Sequence, residues 1–193
     1  VLFSIGREAD LSCVDGLEIK QDRGKLIVNE YMETSIEGVY AAGDINGLSM
    51  LAHSAFKMGE TAAGNALGGR EEVRLDNTPK CVYTLPEIAS VGLTEEEALK
   101  KYGKIRTGRF NFGANGRAIA SSEEEGFVKV ICDDKYGEIL GVHVIGSKAT
   151  EMISAGVILM EMEITIEEAS ELIYAHPTFS EAILEACADC LGM

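Results

Sequence analysis

The sequence predicts an α+β fold in which helices pack on a mostly antiparallel sheet. Two strand-like apolar runs, at 126–132 and 138–145, are separated by Asp133–Gly137, and this pattern is typical of an antiparallel hairpin. Apolar residues then recur at helical spacing over 149–162. An antiparallel sheet whose strands are followed by helices that cover it is typical of the α+β class.

The first 77 residues are predicted to hold short strands and one helix. Strand-like apolar runs lie at Val1–Ile5, Lys25–Val28 and Val39–Ala42. Apolar residues at three- and four-residue steps predict a helix over 49–67. The polar segment 70–78 ends at Pro79, and we place a domain boundary there, between residues 1–77 and 78–193.

The second part of the chain is predicted to alternate strands with capped helices. Strands are expected at 81–84, 88–91, 104–112, 126–132 and 138–145. Three pairs of residues have the spacing of a capping box: Thr94 with Glu97, Thr165 with Glu168, and Thr178 with Glu181. Each pair predicts the start of a helix, in addition to the helix over 149–162.

The composition excludes several classes of protein. The formal net charge of −15 disfavours binding to a nucleic-acid backbone or to an anionic membrane. No apolar run reaches the ~18 residues of a membrane span.

The 5 cysteines are an odd number and mostly far apart, unlike a secreted disulfide framework, so a reduced cytoplasmic protein is predicted. The apolar start at Val1, with no methionine before it, predicts that residues precede it in the gene.

Two segments of the first part are candidate binding sites. One is Gly43-Asp44, where glycine lets a ligand approach the backbone and a carboxylate can accept hydrogen bonds from a diol. The other is Met50–His53, at the start of the predicted helix, where the first amides lack internal partners. The alternative for Gly43-Asp44 is a turn in which Asp44 is solvated, and this segment taken alone favours that alternative. The alternative for Met50–His53 is that His53 is a surface residue.

A third candidate lies at Tyr174–Glu181. His176 precedes Pro177, which fixes the neighbouring backbone, and Glu181 follows five residues later. A carboxylate that orients an imidazole and stabilises its protonated form makes a general acid/base pair. The alternatives are that Glu181 only completes the capping box of Thr178, and that His176 is a loop histidine with its hydrogen bonds satisfied.

Two further patterns are given no chemical role. Cys187 and Cys190 form a CxxC pair on the apolar face of the last predicted helix, which favours core packing over redox or zinc chemistry. The segment Asn115-Gly116-Arg117 has the pattern of a turn, and spacing alone assigns it no function.

Six segments, in this order, share their spacing with one enzyme family. They are Val1–Arg7, Gly38–Asp44, Met50–His53, Tyr83–Gly92, Asn115–Ala118 and His176–Glu181. On these segments the chain resembles the pyridine nucleotide-disulfide oxidoreductases, and among them most closely the dihydrolipoamide dehydrogenases. The six segments span nearly the whole chain, so the resemblance is specific although each segment is weak.

The resemblance implies two domains and two cofactors. Residues 1–77 would be the C-terminal part of an α/β FAD-binding domain, with a remnant of the NAD domain exit strand at 1–6. Residues 78–193 would be an interface (dimerisation) domain. Asp44 would bind the ribityl chain of FAD, the segment around Leu51 would face the flavin pyrimidine edge, and Gly6 would lie near the nicotinamide dinucleotide. The implied cofactor-binding residues are Gly6, Gly43, Asp44, Met50, Leu51, Ala52 and His53.

The implied activity is that of a flavin-dependent dihydrolipoamide:NAD+ oxidoreductase. His176 would be its acid/base, oriented by Glu181, and would act in the active site of the other subunit of a homodimer formed through residues 79–193. The implied partners are dihydrolipoyl groups of a 2-oxoacid dehydrogenase or glycine cleavage complex. No metal, nucleic acid or membrane is expected among the partners.

The chain also departs from the family pattern. It contains neither the CxxxxC redox disulfide nor the glycine-rich loop that binds the ADP half of FAD. We therefore expect the chain to be a C-terminal fragment that alone is inactive and retains no FAD. The alternatives are a fragment of a glutathione or mercuric reductase, or a non-catalytic dimerisation module.

Overall fold

The computed structural model describes residues 1–193, which divide into two units, Val1–Leu75 and Asp76–Met193. Each unit contains buried apolar clusters formed only from its own residues. Each unit therefore has an interior of its own.

The first unit contains one long helix and very little sheet. Its elements are the 3₁₀ turns Ser12–Val14 and Asp44–Asn46, the strands β1 (Gln21–Asp22) and β2 (Lys25–Leu26), and the helix α1 (Ala52–Ala66). α1 confirms the helix predicted over 49–67. Its Met58 and Ala62 pack with Met32 in one apolar cluster, and Leu26 lies in another with Ile19.

The strands predicted in the first unit are mostly wrong. Val1–Ile5 is exposed and pairs with no other segment of the chain. Val39–Ala42 contributes only a single bridge, between Tyr40 and Glu33, and Lys25–Val28 shortens to the two residues of β2. An apolar run becomes a strand only where a neighbouring segment takes up its N–H and C=O groups. Val1–Ile5 has no such neighbour, and the other two runs pair over only one or two residues.

The second unit is built on a five-stranded sheet. Its strands are β3 (Lys80–Val82), β4 (Glu87–Gly92), β5 (Ile105–Asn111), β6 (Gly126–Asp133) and β7 (Ile139–Gly146). Its helices are α2 (Glu95–Tyr102), α3 (Gly116–Ser121), α4 (Ala149–Glu161), α5 (Ile166–Glu171) and α6 (Glu181–Cys190), with a 3₁₀ turn at Phe112–Ala114. The strand order is β3-β4-β7-β6-β5, and every pair is antiparallel. The α+β prediction and the β6–β7 hairpin are therefore confirmed.

The main core lies between one face of this sheet and two helices. α4 packs on β4 and β7, while α6 packs on β5 and β6. α6 lies so close to β5 that a Cβ placed on Gly108 of β5 would overlap the carbonyl oxygen of Ala186 of α6. Inward side chains such as Val130, Val142 and Ile183 are almost fully buried. This packing fixes α6, whose first residue is Glu181, against the sheet.

Candidate functional site

His176 and Glu181 lie together at the start of α6. Residues 172–180 connect α5 to α6, and His176 is in this connection while Glu181 is the first residue of the helix. The ring Nδ1 of His176 is 2.7 Å from Oε1 of Glu181. The His176 side chain is 76% exposed, whereas that of Glu181 is 19% exposed.

The protonation of this pair follows from the surroundings of the carboxylate. Oε2 of Glu181 accepts a 2.7 Å hydrogen bond from the backbone N–H of Thr178. That hydrogen bond, and then His176, hold the pKa of Glu181 below its ordinary value, although burial acts in the opposite direction. An ionised carboxylate can only accept hydrogen bonds, so Nδ1 of His176 must donate. In the neutral ring Nε2 then carries the lone pair, on an exposed side chain that can take or give a proton.

The start of α6 differs from the capping box predicted for Thr178 and Glu181. α6 begins at Glu181 itself, with Ser180 as its N-cap and no side-chain cap. Glu181 is thus at the first helical position, whereas a capping box needs it at the third. The Thr178 hydroxyl instead donates to the carbonyl of Ala175 over 2.7 Å.

In the first unit, Arg7 brings two candidate segments together. Its guanidinium lies 3.3 Å from a carboxylate oxygen of Asp44 and donates a 2.7 Å hydrogen bond to the carbonyl of Met50. Gly43, just before Asp44, has φ of 85°, a conformation that favours glycine over residues with a side chain. Gly6 precedes Arg7 in the chain and is exposed.

The start of α1 lies next to Met50. Leu51 is its N-cap residue, has an extended backbone and makes no side-chain cap hydrogen bond. Ala52 and His53 are exposed in that turn. Helix amides without internal partners can donate to an electron-rich oxygen, and the Asp44 carboxylate can accept from hydroxyl groups.

Two residues at these sites were missed by sequence reasoning. Arg7 lies in the Val1–Arg7 segment of the resemblance, but its two contacts have no local signature, because its partners lie 37 and 43 positions further along the chain. Asn115 was interpreted as part of a turn, but it is the N-cap of α3, and asparagine is among the preferred N-cap residues. Its contact with the His176 loop joins positions 63 residues apart and has no local signature.

Comparison with known proteins decides the family. A family model for the dimerisation domain of pyridine nucleotide-disulphide oxidoreductases matches residues 78–187, more than half of the chain. A second model, for pyridine nucleotide-disulphide oxidoreductases, matches residues 1–59. The chain belongs to this family. The resemblance drawn from the six sequence segments is therefore confirmed, and the His176–Glu181 pair lies within the matched dimerisation domain.

Relatives of this chain among curated proteins include dihydrolipoyl dehydrogenases. That of Bacillus subtilis (strain 168) is 40% identical over 199 residues, which is 100% of this chain and 43% of the relative. That of Rhizobium etli is 43% identical over 181 residues, covering 93% of this chain and 38% of the relative. The chain thus spans well under half the length of these relatives.

Two solved structures have the same fold as this chain. LpdA from Mycobacterium tuberculosis superposes with a TM-score of 0.82 at 33% identity, covering 89% of this chain and 38% of that structure. The HOCl-induced flavoprotein disulfide reductase RclA from Escherichia coli gives a TM-score of 0.88 at 24% identity, covering 96% and 44%. The second likeness concerns the fold alone.

The CxxC pair of this chain is part of the core. Cys187 and Cys190 are buried in the main cluster of the second unit, as predicted. Burial raises the pKa of the Cys187 thiol to about 12. A thiol in this state is a poor nucleophile at neutral pH. Separately, none of the helices has the length and apolar character required to cross a membrane.

Proposed function

We propose that this chain is the C-terminal portion of a flavin-dependent dihydrolipoamide:NAD+ oxidoreductase, called here the parent enzyme. Its second unit supplies the dimer interface and the acid/base pair His176–Glu181. Family membership and the identity to dihydrolipoyl dehydrogenases support the proposal.

One observation carries the proposed chemistry. An exposed imidazole is held at 2.7 Å by a carboxylate, and that carboxylate is itself held by the backbone of Thr178. With Nδ1 bonded to the carboxylate, the second ring nitrogen is directed away from it on a side chain that is 76% exposed. The arrangement suits a group that exchanges protons with a molecule arriving from outside the unit.

The proposed role of His176 is to move protons at a dithiol. Nε2 takes the proton from one thiol of dihydrolipoamide, and the resulting thiolate attacks an enzyme disulfide outside this chain. One sulfur–sulfur bond forms and one breaks, which releases an enzyme thiolate. The second dihydrolipoamide thiol then loses its proton and attacks the lipoyl sulfur of this mixed disulfide, and the enzyme sulfur leaves as a second thiolate. Lipoamide is thereby released as a cyclic disulfide, and the two electrons remain on the two enzyme sulfurs. Glu181 stabilises the imidazolium formed in the first step.

FAD and NAD are the proposed cofactors of the parent enzyme. When bound, FAD would supply two-electron redox chemistry beside the enzyme disulfide, and NAD+ would supply the hydride acceptor. Within this chain Gly43 and Asp44, with the α1 start at Met50–His53, are the residues proposed to contact FAD. The Asp44 carboxylate and the position of these residues at the start of α1 support this assignment, because a carboxylate can accept from the polyol and helix-start amides can donate to a ring carbonyl of that cofactor. Gly6 is proposed to lie near NAD.

The proposed partners are a second copy of the chain and dihydrolipoyl groups of a 2-oxoacid dehydrogenase or glycine cleavage complex. The match to a dimerisation domain supports the first of these. In a homodimer, His176 of each copy acts at the disulfide of the other. The cytoplasmic location stays a prediction, as does the inactivity of the isolated chain.

The test uses the parent enzyme, expressed from the gene with the stretch preceding this chain. We expect that stretch to contain a CxxxxC within an FAD-binding domain. His176→Gln should lower dihydrolipoamide:NAD+ turnover by about 10²- to 10⁴-fold, the usual contribution of a general acid/base. NADH-dependent reduction of an artificial dye should remain, because that reaction requires no proton transfer from a thiol.

The matched control is His143→Gln, the same substitution at a histidine on β7 outside the 172–180 connection. It should leave both activities close to those of the unsubstituted enzyme. Full dihydrolipoamide turnover in the His176→Gln enzyme would overturn the proposed role of the pair.

A further inference from the structure

The N-cap residue of α3 contacts the loop that carries His176. Asn115 is 4% exposed, and both halves of its side-chain amide form hydrogen bonds. The oxygen accepts from the backbone N–H of Ala118 at 2.9 Å and so caps α3. The nitrogen donates to the carbonyl oxygen of Thr178 at 3.0 Å. One buried side chain thus joins a helix start to a residue two positions after His176.

Thr178 is the central residue of that loop. Its N–H holds the Glu181 carboxylate at 2.7 Å, its hydroxyl donates to the Ala175 carbonyl at 2.7 Å, and its carbonyl accepts from Asn115. All of its polar groups are therefore engaged, and they connect the segment before His176, the carboxylate partner and α3. Any rotation of Thr178 would move the N–H that holds Glu181.

A second contact supports the loop at the next residue. The Phe179 ring meets the Phe112 ring edge to face, with centroids 5.8 Å apart and an interplanar angle of 69°. Phe112 is fully buried, and Gly146 of β7 leaves room for it, since a Cβ there would overlap the ring. The segment Phe112–Asn115 therefore holds the loop at two successive residues, through an aromatic contact and a hydrogen bond.

We propose that Asn115 is a positioning residue for the His176–Glu181 pair. Its amide fixes the Thr178 carbonyl, Thr178 fixes the carboxylate of Glu181, and the carboxylate fixes the imidazole. The consequence for turnover rests on the proposed function of the pair, whereas the geometric role of Asn115 does not.

Two substitutions separate this role from helix capping. Asn115→Asp keeps the shape and an oxygen that caps α3, but a carboxylate cannot donate to the Thr178 carbonyl. Asn115→Ser keeps a neutral capping oxygen on a side chain too short to reach Thr178. The serine variant removes the hydrogen bond to Thr178 without burying a charge. The test therefore remains possible with this variant if the aspartate variant fails to fold.

The first measurement is the titration of the Glu181 carboxyl carbon by NMR in the 193-residue chain. The Thr178 N–H is the largest cause of the lowered pKa of Glu181, so both variants should raise this pKa towards the ordinary value. Ile153→Val, a substitution in the main core on α4, is the matched control. It should lower the melting temperature without moving the Glu181 titration.

The second measurement is turnover of the parent enzyme. Asn115→Ser should lower kcat for dihydrolipoamide oxidation by up to about 100-fold, the scale of a misplaced catalytic group, with dye reduction by NADH unchanged. An unaltered Glu181 titration in both Asn115 variants would overturn the positioning role, whatever the turnover. A shifted titration with full turnover would support the positioning role and count against the proposed function of His176.

Discussion

At the scale of single residues, His143 contrasts with the exposed His176. His143 lies on β7, and its Nε2 donates a 2.9 Å hydrogen bond to the carbonyl of Leu93. Burial lowers the pKa of His143, and the positive charges of Lys129 and Lys80 lower it further. The Leu93 carbonyl and Glu97 oppose this shift without reversing it. His143 is thus held neutral by its surroundings and is suited to a structural role.

This environment predicts a pH dependence of stability. The unfolded chain binds a proton at the ordinary imidazole pKa of about 6.5, whereas folded His143 binds it only at lower pH. Its contribution to stability is therefore fully present above pH of about 6.5 and is lost as the pH falls through the lowered folded value. We expect the urea midpoint of the 193-residue chain to fall between pH 7.5 and 5.5, and to fall less in His143→Gln, whose amide can still donate to Leu93. Identical pH slopes for the two proteins would contradict this prediction.

The site residues differ in how far the sequence could predict them. His176 and Glu181 are five positions apart in one loop, so their types and spacing suggested a pair, although they could not decide between a pair and a helix cap. The roles of Thr178 and Asn115 depend on hydrogen bonds set by the tertiary packing of α3 beside the loop. Local sequence contains no information about a contact across 63 positions.

At the scale of elements, one sequence pattern has two outcomes. Thr94 and Thr165 form complete capping boxes with Glu97 and Glu168, which confirms the predicted starts of α2 and α5. The third pair, Thr178 and Glu181, forms no box because α6 begins at Glu181. The pattern therefore predicts that a helix begins nearby. The position of the first helical residue decides whether the glutamate carboxylate completes a capping box.

The cap of α2 can be tested by itself. Thr94→Ala removes the hydroxyl that accepts from the Glu97 N–H and should lower the free energy of unfolding by about 1 kcal/mol, the usual cost of a lost threonine cap. Thr94→Ser keeps the hydroxyl and serves as the control, with an expected change of only a few tenths of a kcal/mol. Urea unfolding of the second unit measures both variants, and equal losses for alanine and serine would show that the hydroxyl does not act as a cap.

The strands show where local pattern suffices and where it does not. In the second unit, the predicted strands lie within two residues of those observed, because neighbouring segments such as β6 and β7 pair through a short turn. In the first unit, the run Val39–Ala42 forms a single bridge, and Val1–Ile5 forms none. A strand depends on a partner, and apolar character alone does not reveal whether one lies within reach.

At the scale of the whole molecule, the two units differ in how much core each one has. The buried residues of the main cluster in the second unit come from three strands and four helices, with side chains such as Val128, Met152 and Ile166 almost fully buried. The two clusters of the first unit are small, and their buried members are Ile19, Leu26 and Ala41 in one and Met32, Met58 and Ala62 in the other. Burial of apolar surface is the main driving force for folding. The second unit buries more apolar side chains than the first, so it is the unit expected to fold by itself.

We therefore expect residues 76–193, expressed alone, to unfold in a single cooperative thermal transition, and residues 1–75 not to do so. A broad, gradual melt of residues 76–193 would contradict this, since it would mean that the main cluster needs contacts from outside the unit.

The same unit should also form a dimer. Leu85 and Ile173, both in the second unit, are each 100% exposed, and apolar side chains left so open favour association with a partner. Because the unit matches a dimerisation domain, sedimentation of residues 76–193 should give twice the monomer mass, with a monomer fraction that grows on dilution. Leu85→Ser with Ile173→Ser should shift this equilibrium towards monomer while leaving the thermal transition of the monomer in place. A monomer at every concentration would remove the basis for His176 acting in a partner subunit, because the imidazole could then reach only a disulfide of its own chain.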